Sequence, residues 1–137
     1  MQTESDTIRK LKQEAAAHEI THELMNDQCM ILDKFFKLID KKVREETVVM
    51  IVVKGVAIVM RGANESLGVS DDAKIEKACE KSRVEMYAAF NTVLLNEGIV
   101  LKEVQINHVV DVIGGTTSQF MLKRTLNILT KAITKNT

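Results

Sequence analysis

The sequence contains no proline and no tryptophan, and aromatic residues make up only 4% of it. Without proline, glycine is the main breaker of regular structure. With so few rings, the apolar interior must come from Leu, Ile, Val and Met, which suits helix packing better than a twisted sheet. The two cysteines, Cys29 and Cys79, fall on helical apolar stripes, where a thiol behaves as a small hydrophobe, and a cytoplasmic, reducing setting is expected. Charge of one sign is also missing: 19 basic residues balance 19 acidic ones, which excludes a uniformly basic nucleic-acid binder and an acidic mimic. The longest apolar run, Val48 to Met60, is broken by Lys54 and Gly55 and falls short of the roughly 20 residues a membrane span requires. Residues 1–12 are polar, so neither a secretory signal nor a membrane partner is expected.

What is present is helical periodicity. From Ile8 to Val43 the positions Ile8, Leu11, Ala15, His18, His22, Met25, Cys29, Leu32, Phe36, Ile39 and Val43 recur at alternating steps of three and four. That spacing predicts one long helix over 5–43 with a coiled-coil-like seam. Such a helix would be about 58 Å long, too long for a compact monomer of this size, so the seam from Ile8 to Phe36 is expected to pair with a second copy, most simply as a dimer. From residue 20 onward a second stripe, Leu24, Ile31, Phe35 and Leu38, lets the later half pack two neighbours.

Segment 47–61 is apolar almost all round and rich in valine. It reads as a central helix starting near Glu45 and Glu46 and ending at Gly62, with a small hairpin turning at Lys54 and Gly55 as the alternative. Ser70, Asp71 and Asp72 are cap candidates for a helix over 71–96 with Ile75, Cys79, Ser82, Met86, Ala89 and Val93 on its inner face, ended by Asn96, Glu97 and Gly98. A short helix over 102–113 is expected to stop at Gly114 and Gly115. Thr116 with Gln119 then forms a capping box for a last helix striped by Leu122, Leu126, Leu129 and Ile133.

His18, Glu19, Ile20, Thr21 and His22 spell H-E-x-x-H. On a helix this places two imidazoles one turn apart on one face, and it resembles the zincin metallopeptidase signature over these five residues. The resemblance implies His18 and His22 as zinc ligands and Glu19 as the general base, with His108 or a distant carboxylate as third ligand. Two other readings use the same residues: His18 and His22 as packing in the seam, or as a four-imidazole cluster across a dimer that binds metal or loosens on protonation.

Four basic residues and no acidic one follow Asp111. Two helices joined at Gly114 and Gly115, the second bearing Gln119, Lys123, Arg124, Asn127 and Lys131, resemble a helix-turn-helix whose second helix would enter a DNA major groove. The same residues also suit the solvated face of a bundle helix, with cations favourably near its C-terminus.

The expected molecule is therefore an all-α helical bundle over 1–137 as a single domain, with 5–43 for oligomerisation and 71–135 as the C-terminal helical part. Its expected function is that of a non-enzymatic, homo-oligomeric regulatory or adaptor protein acting on a protein partner. DNA binding and zinc-dependent hydrolysis are the two alternatives, and no cofactor is called for outside the zinc reading.

Overall fold

The computed structural model describes Asp6, Arg9 and residues 22–135, and among these the chain forms four long helices and no strand. They are α1 (His22–Leu38), α2 (Glu45–Glu65), α3 (Asp72–Leu95) and α4 (Glu103–Lys135). The all-α bundle is as the periodicity predicts, and the hairpin alternative for 47–61 is excluded because α2 is continuous there. Helices α2 and α4 touch each other and both of the others, whereas α1 and α3 do not meet. Hence α2 and α4 form the central pair, with α1 and α3 at opposite corners. Direction follows from two cross-contacts: Gln28 meets Thr116 and Thr117, and Phe35 stacks on His108, so α1 and α4 run antiparallel.

The core comes from Leu32 and Phe36 of α1, Ile51, Val52 and Val56 of α2, Phe90 and Leu94 of α3, and Ile106, Val109 and Ile113 of α4, all at most 2% exposed. Each such side chain stabilises the fold by about 1.5–3 kcal/mol through removal from water. Helix α2 is apolar nearly all round because it has neighbours on three sides. Gly55 is where those neighbours come nearest: a Cβ there would lie 2.5 Å from Ile113 Cγ2 and 2.7 Å from Phe90 Cζ.

The expected first helix over 5–43 is corrected at its end. Helix α1 stops at Leu38, where Asp40 adopts a left-handed φ of 58°. Lys41 N–H then donates to Phe36 O at 2.9 Å and Asp40 N–H to Lys37 O at 3.1 Å, the paired bonds of a Schellman turn. Ile39 and Val43 kept the apolar spacing alive because they pack on the core from the turn. Helix α3 ends the same way at Gly98, whose φ is 74°, with Ile99 N–H donating to Leu94 O, as the Asn96–Gly98 signal predicts. Its start is also as predicted, with the Asp71 side chain accepting from Ala73 N–H at 3.0 Å.

Two glycine stops are corrected. Gly62 lies inside α2, its missing side chain making room for Ser82 Oγ of α3, and the helix continues to Glu65. Gly114 and Gly115 lie inside α4, which passes through them unbroken to Lys135. Two interior glycines cost roughly 1 kcal/mol each in helix propensity, and packing overrides that cost. Gly114 lies where a Cβ would meet Met86 Cε at 3.6 Å. One turn on, Thr116 and Thr117 are tied to Gln28 of α1.

Candidate functional site

Helix α4 has 33 residues and is about 50 Å long, yet only its first half belongs to the core. Ile106, Val109, Val110, Ile113 and Thr117 are buried, and from Leu122 to Lys135 every residue but the half-buried Arg124 is exposed. At 3.6 residues per turn, Leu122, Leu126, Leu129 and Ile133 point about 180° away from the core-facing residues of the same helix. They are 61%, 54%, 54% and 68% exposed. Four large apolar side chains thus form a single line on the outward side of the helix, where none of the other described helices covers them.

The nucleic-acid candidates Gln119, Lys123, Arg124, Asn127 and Lys131 all lie on this distal half. On a continuous helix they fan over one face about 140° wide, beside the apolar line and reaching round to the side opposite it. The helix-turn-helix expected for them is absent. No turn separates 102–113 from 116 onward, so the two segments form one helix and not a two-helix unit. The predicted capping box is replaced by interior helix bonding: Thr116 Oγ1 donates to Val112 O at 2.6 Å and accepts from Gln28 Nε2 at 2.7 Å.

The seam residues separate. Ile8, Leu11, Ala15 and His18 lie outside the described residues. His22 is exposed, and Met25 and Cys29 are half-buried against the core. Leu32 and Phe36 are corrected outright: at 0% and 2% exposure they fill the chain's own core and are not open to a second copy. The spacing was real, but these two positions serve α1's packing on α2 and α4. Ile31 and Leu38 of the second stripe are exposed, while Leu24 is buried.

Of the H-E-x-x-H motif, His18 and Glu19 lie outside the described residues, and His22 opens α1 exposed to solvent. His108 stacks on Phe35 with ring centroids 4.4 Å apart. Phe35 follows His22 by thirteen positions on α1, about 20 Å along the axis, so His108 is too distant to share a metal with His22. Among the described residues no three His, Cys, Asp or Glu side chains are grouped to hold an ion.

Two polar clusters escaped the sequence reading. Gln28 is fully buried, its Nε2 donating to Thr116 Oγ1 at 2.7 Å and Thr117 Oγ1 at 2.9 Å, while its Oε1 has no partner. It sets the register of α1 on α4. The signal was present in the spacing Leu24, Gln28, Leu32 and Phe36, a polar residue on a core row. At the opposite end Glu97 accepts from Thr47 Oγ1 at 2.5 Å and from Arg44 Nε at 3.0 Å. The Thr47 hydroxyl, with Arg44 adding a second bond and its charge, holds the Glu97 carboxyl below its usual value against the opposing effect of burial. This joins the α1–α2 and α3–α4 connections.

Cys79 lies on the expected inner row with Ile75, Ser82 and Met86, yet it is exposed because the first half of α3 stands off the core. It lines an open groove of about 400 Å³ with small residues such as Gly62, Ala63, Ser82 and Gly114. The groove carries no cluster of titratable groups. Comparison of the chain with protein-family models, with curated proteins and with solved structures gives no match. Among the described residues no helix is long and apolar enough to cross a membrane.

Proposed function

We propose that this protein is a non-enzymatic, homo-oligomeric regulatory or adaptor protein that binds another macromolecule through the distal half of α4. One observation carries the reading: the last four turns of α4 leave the core with an apolar line on one face, and no acidic residue occurs after Asp111. A helical stretch of this length is marginal in water by itself and gains most of its stability from what it packs against. Arg124, Lys131 and Lys135 face away from the line, so a partner with an acidic surface is favoured. The experiment is binding of the purified protein to a partner recovered with it and then purified. Binding should weaken at least about tenfold when Lys123, Arg124 and Lys131 are all changed to Ala. Stoichiometric zinc together with peptidase activity abolished by Glu19→Gln would overturn the reading in favour of a hydrolase.

A second reading, DNA binding, is favoured by the placement of Gln119, Lys123, Arg124, Asn127 and Lys131 on one face. It expects retention on duplex DNA that falls steeply with salt and is lost in the Lys123→Ala, Arg124→Ala double variant. Retention that ignores salt and both substitutions rules it out.

A further inference from the structure

We infer that the apolar line of α4 is a self-association seam, in which Leu122, Leu126, Leu129 and Ile133 pair antiparallel with the same four residues of a second copy. This rests on the reading of α4 as the interaction helix and names the occupant of one of its faces.

The spacing is what selects a second copy. Its steps run four, three, four, so the line reads the same in both directions. Under a two-fold axis between Asn127 and Ile128, Leu122 meets Ile133 of the second copy and Leu126 meets Leu129. That gives a closed, isologous contact with no apolar residue of the line left over. Two apolar positions in seven is the width of a coiled-coil seam, narrower than the stripe by which a helix packs into a globular core or lies on a lipid surface.

The charges fit the same arrangement. Arg124, Lys131 and Lys135 lie on the side of α4 opposite the line, clear of the seam. Lys123 alone flanks the line. In the antiparallel pair that flank faces its own counterpart, which places Lys123 across from Thr130 and Thr134 of the second copy and about 13 Å along the axis from the other Lys123. Beyond a Debye length of about 8 Å at physiological salt, that repulsion is largely screened. A cationic helix therefore self-pairs without opposing its own charges. The described parts of α1, α2 and α3 leave the line uncovered.

Sedimentation of the full chain over a concentration series tests this. Expected is twice the 15.4 kDa monomer mass, with the dissociation constant raised at least about 100-fold by the Leu126→Glu, Leu129→Glu pair and helical circular dichroism unchanged. Thr130→Glu sets a carboxylate opposite Lys123 of the second copy and is expected to tighten the antiparallel pair a few-fold, an effect a parallel pair would not show. A monomer at all concentrations, or a dimer indifferent to Leu126→Glu, Leu129→Glu, overturns the inference, as does a lipid vesicle or residues 8–21 of the same chain covering the line. Because the partner-binding cations Arg124 and Lys131 lie away from the seam and only Lys123 flanks it, a monomer that still binds its partner would refute the seam and the homo-oligomeric part of the reading while leaving partner binding standing. A dimer that binds none would refute only the adaptor reading.

Discussion

The two halves of α4 are built from similar residues and meet opposite fates. Ile106, Val109, Val110 and Ile113 are closed off by three neighbouring helices, while Leu122, Leu126, Leu129 and Ile133 stand in water on the far side of the same helix. Composition does not distinguish them. What differs is phase: the apolar row that faces the core in the first half gives way, after Thr117, to a row turned about half a circle away. A helix can thus spend one stretch on its own fold and reserve the next for association.

The sharpest way to break this comparison is truncation on each half. Ile113→Ala is expected to cost about 3 kcal/mol in urea unfolding, from lost burial and the cavity left behind, whereas Leu129→Ala under monomeric conditions should change stability by less than about 0.5 kcal/mol. Equal costs would mean that the distal half packs into the core just as the proximal one does. Glycines give a smaller contrast. Gly55→Ala drives a methyl into Ile113 and Phe90 and is expected to destabilise by about 1–2 kcal/mol even after the gain in helix propensity. Gly115→Ala meets open space and is expected to stabilise by about 0.5–1 kcal/mol, as a helical conformation at that position allows and a left-handed turn there would not. Destabilisation by Gly115→Ala would restore a turn there.

Outside α4 the effects shrink. Asp40→Gly removes the strain of a left-handed aspartate and should raise stability by about 0.5–1 kcal/mol, measured as the shift in thermal midpoint. The smallest effect concerns pH. Glu97 has its carboxyl pKa lowered in the fold, so its contribution is present above the ordinary glutamate value near 4.3 and fades as pH falls through the lower folded value. Between wild type and Glu97→Gln the stability difference should therefore be constant at neutral pH and close only in the acid range below about pH 4. A gap that closes at higher pH would assign the shift to another group.

Much of the fold was legible because periodicity, caps and turns act locally. The Asp71 cap, the Gly98 stop and the all-round apolar α2 follow from residues within one or two turns of each other. The misreadings have a single cause, which is tertiary packing overruling a local signal. Gly62 and Gly114 look like helix ends, yet Gly62 is small so that Ser82 of α3 can come close, and Gly114 sits in a helix held by packing on either side of it. The Leu32 and Phe36 spacing looks like a dimer seam, yet α2 and α4 use it. For the candidate site, Leu122, Leu126, Leu129 and Ile133 were visible as a stripe, but a stripe does not say which side of the helix the core occupies. Only the burial of Ile106, Val109, Ile113 and Thr117 on the opposite side of the helix reveals that the stripe faces outward.

Hydrogen exchange along α4, read at high and low protein concentration, addresses the central claim most directly. Amides of 106–117 are expected to stay protected at both concentrations, without a break at Gly114 and Gly115, while those of 122–133 are protected only where the dimer persists. Unprotected amides at the two glycines, or distal protection that ignores dilution, would contradict a single helix shared between its own core and a second copy.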